Sequence, residues 1–238
     1  MPSTVGDWAA VAMTIVIGGV CGFLAIALIP FALSVHFGAQ FPWYAARASG
    51  MVAYLLATGS VVFGIATSTR LGGRIFGKGN VPDTHRSLSL LMLMAIGGHT
   101  LFLALDSYTK FTASELFVPF VTWYRPVWTG LGIIAAYMAL AVYGSFYIRP
   151  MIGYKAWRAF HYLAFAVFGL GTVHGLLSGS DRGAGWALGI YAVSVGAVAL
   201  MLAYRIATCQ AAPAAIRRPA TDASGRTRME AASGGLRG

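Results

Sequence analysis

Charge is the scarcest commodity in this 238-residue chain: Asp, Glu, Lys and Arg together make up 10% of it, against about 25% in a soluble domain. So few charges cannot cover a water-exposed surface. Acidic residues are rarer still, seven against 17 Lys and Arg, for a formal net charge of +10. A basic balance raises nucleic acid as a partner. A nucleic-acid binder, however, gathers its cations on a dense face, and here they are thinly spread, which excludes that partner. Cysteine is nearly missing: Cys21 and Cys209 stand too far apart for a metal knuckle or a redox pair and build no disulfide framework. No nucleophile–base arrangement and no paired carboxylates stand out. What is abundant is apolar, at 58% of residues, and the first expectation is an integral membrane protein.

A membrane-crossing helix needs roughly 20 apolar residues, and six runs qualify: Trp8–Val35, Trp43–Ser68, Arg86–Leu105, Val121–Ile148, Trp157–Leu177 and Ala184–Thr208. The first has no basic lead-in and is too long for a signal-peptide core, so it is expected to stay as a span. Basic residues then set the orientation. Arg70, Arg74, Lys78, Arg86, Arg149, Lys155, Arg158, Arg205 and the tail arginines put 13 cations on one side. Arg47, Lys110, Arg125 and Arg182 put four on the other. Both termini are therefore expected in the cytoplasm, in a multi-pass protein of the cell membrane. Residues 1–208 form the six-span domain, and 209–238, rich in Ala, Gly, Pro, Ser and Arg, read as a disordered basic tail able to touch anionic membrane lipid. Glycines in spans one, two and six are expected to allow close helix packing.

Histidine is costly inside a bilayer and usually marks a functional site there. His85 and His99 stand 14 residues apart at and within the third span; His161 and His174 stand 13 apart in the fifth. At 1.5 Å rise per residue each pair is separated by roughly 20 Å along its helix. Spans three and five run in the same direction, so His85 matches His161 in depth and His99 matches His174. Zinc wants four clustered donors, often with thiolate, whereas each level offers two imidazoles. Two imidazoles facing across a gap suit the axial positions of heme iron, and without a Cys-x-x-Cys-His motif the group would be b-type. Polar residues satisfied in helix contacts are the plain alternative. The 13-residue spacing misses a shared helix face by about 140°, which predicts an irregularity, a π-bulge or kink, between Phe165 and Val173, where Gly169 and Gly171 lie.

These features resemble the ferric reductase transmembrane domain, the superfamily of ferric-chelate reductases, NADPH oxidase membrane domains and the heme subunit of methionine sulfoxide reductase systems. The resemblance spans about residues 8–205. It rests on the His85/His99 and His161/His174 spacing, with Arg47-Ala-Ser-Gly50, His85-Arg-Ser-Leu88, Trp157-Arg-Ala-Phe-His161, His174-Gly175 and Gly179-Ser-Asp181. It implies an all-α six-helix bundle holding two b hemes between spans three and five, an inner one on His85 and His161 and an outer one on His99 and His174. Arg47 matches an arginine near the outer heme. The implied function is electron transfer from a cytoplasmic donor to an acceptor outside: a ferric chelate, oxygen, a flavin or a partner oxidoreductase. Only 30 residues follow Thr208, with no Gly-rich phosphate loop, so the donor is expected to be a separate flavoprotein reductase or membrane quinol.

Heme propionates need cations at each face, and Arg86 and Arg158, with Arg70 or Lys155, are placed for the inner heme. Arg47, and less directly Arg125, are placed for the outer one. His36, without a depth-matched partner, joins Arg47 as a possible outer acceptor site or sits as an interfacial residue. Trp43, Tyr44, Trp123 and Tyr124 read as an interfacial aromatic belt. Phe102, Phe165 and Phe168 are candidates for the space between the levels, with core packing as their other reading. Two other functions stay open: a non-catalytic heme-containing membrane anchor or assembly subunit, and a small proton-coupled transporter.

Overall fold

A computed structural model describes residues 38, 40–69 and 80–216. The expected first span Trp8–Val35, His36, Arg70 and the tail beyond residue 216 lie outside the described residues. Among the described residues seven helices follow in order: α1 Phe41–Thr67, α2 Asn80–Leu105, α3 Ala113–Phe117, α4 Pro126–Ile152, α5 Tyr154–His161, α6 Leu163–Ser178 and α7 Gly185–Ile216. Five stretches are long and apolar enough to cross a membrane: α1, Val81–Leu105 of α2, α4, the α5–α6 run Tyr154–Ser178, and Gly185–Thr208 of α7. They correspond to the second through sixth runs of the sequence. No strand occurs among the described residues.

Local chemistry sets the boundaries. Pro42 sits in the first turn of α1, where its fixed φ suits a helix start and its missing N–H costs nothing. Pro126 does the same for α4, which therefore begins five residues after the expected Val121. Two residues of the preceding loop, Phe120 (φ 68°) and Arg125 (φ 46°), are left-handed. Arg125 is steered away from the helical region by the proline after it, and its guanidinium donates to the Leu177 carbonyl at 2.7 Å. α4 runs through Pro150 to Gly153, whose φ of 80° ends it as glycine does at many helix C-termini. α3 opens on a capping box between Thr112 and Glu115. The Thr112 backbone N–H and hydroxyl, then the Trp123 N–H, hold the Glu115 carboxyl below the usual carboxylate range.

Two expectations need correction. α7 continues to Ile216, eight residues into the segment read as a disordered tail. Four alanines between Ala211 and Ala215 favour that extension through their helix propensity, and Pro213 among them opposes it. The irregularity in the fifth span falls at Tyr162, not between Phe165 and Val173, which are regular helix around Gly169 and Gly171. The Tyr162 N–H donates to Ala159 (3.3 Å) and the Phe165 N–H to Tyr162 (3.1 Å), three-residue bonds that tighten the turn instead of widening it. A tightened turn rotates about 120° per residue against 100° and so works off part of the 140° shortfall. Glycine within an apolar helix does not break it, because no water competes for the backbone bonds.

The bundle turns apolar side chains outward and small polar ones inward. Leu140, Val193 and Leu200 are 60%, 73% and 72% exposed, while Ser60, Ser145, Thr172 and Ser194 are buried. α1 lies along α2, α4 lies along α6, and α1 also meets α6 and α7. One core cluster joins Tyr54, Phe168, Ala187, Tyr191 and Val198; another joins Met92, Ala139 and Val167. Phe168 stacks on Tyr54 at 5.7 Å, and Tyr191 tilts onto Tyr54 at 4.8 Å. Gly175 leaves room for the Tyr191 hydroxyl, which a Cβ there would overlap. Gly175→Ala is expected to destabilise the bundle by about 1–3 kcal/mol, read by thermal unfolding in micelles. Adding Tyr191→Phe to the same chain should recover part of that loss.

Candidate functional site

α2 and α6 do not pack along each other; their histidines reach across the space between them. His85 faces His161 with ring centres 6.0 Å apart, and His99 faces His174 at 6.4 Å. In both pairs the rings are close to perpendicular, at 81° and 80°. Among the described residues no group of three or more His, Cys, Asp or Glu gathers to hold a metal ion, so each level offers a two-imidazole site.

Three of the four rings are held in one way. His99 Nδ1 lies 2.7 Å from the Ala46 carbonyl, His85 Nδ1 2.8 Å from the Ser60 carbonyl and His174 Nδ1 2.9 Å from the Trp128 carbonyl. A carbonyl only accepts, so Nδ1 carries the proton and Nε2 keeps its lone pair for a ligand. That outer-shell bond to the far nitrogen is the usual companion of a metal-bound imidazole. The Ser60 hydroxyl adds a second contact to His85 Nδ1 at 3.2 Å.

Four residues beyond each accepting carbonyl stands a glycine: Gly50 after Ala46, Gly64 after Ser60, Gly132 after Trp128. A helix carbonyl points toward the residue four places on, so an imidazole reaching it must lie over that residue. A Cβ at Gly50 would meet His99 Nδ1 at 2.9 Å, and one at Gly64 would meet His85 Cε1 at 3.1 Å. At Gly132 it would overlap the His174 ring itself. The span-two glycines, expected to allow close helix packing, do so here by making room for an imidazole of the neighbouring helix. A signal was present in the sequence: Gly50 and Gly64 are 14 residues apart, as are His85 and His99.

His161 is held differently. Its Nδ1 is buried with no hydrogen-bond partner among the described residues, and its ring stacks on Trp157 at 5.1 Å and 26°.

The His99–His174 level opens into a cavity of about 610 Å³. Small residues clear it, among them Gly50, Ala53, Ala57, Gly132, Ala136 and Gly171, and Arg47, Glu115 and Asp181 also line it. Arg47, the expected cation for an anionic group, makes a two-pronged ion pair with Asp181, with Nε to Oδ2 at 2.9 Å and NH2 to Oδ1. The two side chains are 32% and 24% exposed. In the sequence Asp181 is visible only within the stretch Gly179-Ser-Asp181, because a carboxylate 134 residues away gives no local sign of its partner. Arg125 is engaged by the Leu177 carbonyl. Arg86 lies 5.9 Å over the Phe146 ring, and Arg158 reaches the Tyr162 hydroxyl at 3.4 Å; both are exposed. Of the three phenylalanines, Phe168 packs on Tyr54, while Phe102 meets Phe41 near the start of α1 and Phe165 stacks on Tyr162.

No family model, curated protein or solved structure matches the chain.

The glycine seats predict a graded series. Gly132→Ala should be the most disruptive, Gly50→Ala intermediate and Gly64→Ala mildest, within the roughly 1–3 kcal/mol typical of overpacking. Unfolding midpoints in micelles would test that order, and equal midpoints for all three would refute it.

Proposed function

We propose that this chain is the electron-carrying membrane subunit of an oxidoreductase, similar to the ferric reductase transmembrane domain. In this reading it holds two b-type hemes, one on His85 and His161 and one on His99 and His174. It passes electrons from a separate cytoplasmic flavoprotein or membrane quinol to an acceptor outside. The carrying observation is the pair of facing imidazole couples, each with ring centres about 6 Å apart. A metal between two imidazole nitrogens, at about 2 Å from each, would separate the ring centres by roughly 6 Å once the ring radii are included. The cavity cleared by small residues at the His99–His174 level supports a flat group there.

Such a group, which His85 with His161 and His99 with His174 would hold, would supply one-electron transfer. The protein's own part is to orient and to exclude water. The carbonyls of Ala46, Ser60 and Trp128 orient three imidazoles and leave Nε2 free, each bond contributing about 1 kcal/mol net. Arg86 and Arg158 provide cations near the inner level for propionate carboxylates. At the outer level a propionate would compete with Asp181 for Arg47. Each electron leaving a negative interior gains about 2.3 kcal/mol per 100 mV. The proton-path alternative is disfavoured by the same carbonyl bonds, because a proton held on Nδ1 by an acceptor-only group has no onward route.

Purified protein should carry two hemes per chain with the optical bands of bis-imidazole ligation, and His99→Ala should remove the outer heme while leaving the inner one. Heme-free protein would end this reading. Two hemes surviving in His99→Ala would overturn the pairing.

A further inference from the structure

The four imidazoles are not equally seated. α1 carries its two carbonyl–glycine seats 14 residues apart, Ala46/Gly50 and Ser60/Gly64. α4 carries one, Trp128/Gly132, and the same step along it arrives at Val142 and Phe146. Position 146 carries a phenylalanine and not a glycine, and the Val142 carbonyl already accepts from Ser145 Oγ at 2.6 Å. His161 thus has no backbone seat, and its Nδ1 is buried without an acceptor among the described residues. What it has is Trp157, one turn earlier on α5, stacked against it. Trp157 is itself held on several sides. Phe146 meets it edge-on at 6.5 Å, Tyr154 lies at 5.8 Å, and the Arg149 guanidinium sits 5.4 Å over its ring.

We infer that Trp157 is the positioning residue of the inner site, orienting His161 by stacking where the other three ligands are oriented by a helix carbonyl. This rests on the heme reading above. A hydrogen bond to the far nitrogen raises the basicity of a ligating imidazole, and His161 alone lacks one from the backbone. It is therefore the weakest of the four donors, and the inner site is the first to lose a ligand. Phe146, which meets the tryptophan edge-on, braces it from α4.

The test uses the full chain purified with its hemes, with His99→Ala giving the spectrum of the inner site alone. Trp157→Leu should weaken inner-heme retention roughly 10- to 100-fold, the usual range for loss of an outer-shell partner. The outer heme should stay in place, and added imidazole should restore the inner low-spin bands. Trp157→Phe, which keeps a flat face, should retain the wild-type occupancy and spectrum. In the unmodified protein, a cyanide titration should change the inner low-spin signal before the outer one, a readout that does not depend on any variant folding. An unchanged inner site in Trp157→Leu, equal losses in both variants, or an outer signal that changes first would overturn the inference while leaving two hemes in the wild type. Heme-free wild type would instead overturn the functional reading on which it rests.

Discussion

The bond from a histidine Nδ1–H to a helix carbonyl of the neighbouring span organises this bundle. Within apolar surroundings no water takes up an imidazole proton, and an unpaired N–H there is expensive. Helix carbonyls are the acceptors within reach, and each retains a lone pair after its own helical bond. Access is limited by the side chain four residues on, and only glycine clears the way. The bond therefore demands more than a histidine. It demands a glycine at a set register on a second helix and a close helix pair to bring the two together.

Much of the architecture follows from that demand. His99 sits over Gly50 and His85 over Gly64, so a step of 14 residues up α2 is matched by 14 down α1. Two antiparallel helices can satisfy both only in one register. Ser60 and Ser89, 2.8 Å apart, lie on that shared face. α4 treats α6 in the same way once, at His174, and the loop before α4 reinforces the arrangement. Arg125 and Tyr124 cap the Leu177 and Ser178 carbonyls, and Thr129 bonds the Ser178 hydroxyl, tying down the end of α6 within one turn of His174. Arg47 and Asp181 close the same end from α1. The other end is built differently: His161 follows a helix start at Gly153, precedes the tightened turn at Tyr162 and stacks on an aromatic neighbour.

The legible part of this design was the part that repeats along one helix. Histidines 14 and 13 residues apart announce two levels because rise per residue is constant, and the structure brings together the pairs so deduced. The 13-residue spacing also announced an irregular helix, although its place at Tyr162 depended on where backbone bonds could shorten. Less legible were features that need a second element. Gly50, Gly64 and Gly132 look like packing glycines until the imidazoles above them are seen. Arg47 reads as a free cation until Asp181 is found beside it. Phe146 carries no signal of its own, because its contact is with Trp157 on the next helix.

From the sequence alone came the apolar runs and the depth of each histidine within them, since hydrophobic length and helical rise are local quantities that no neighbour alters. Only the tertiary structure decided which carbonyl holds each ring, which imidazole goes without one, and which carboxylate meets Arg47. Those outcomes depend on the rotation of each helix about its own axis and on its register against the next, and both are set by packing between helices.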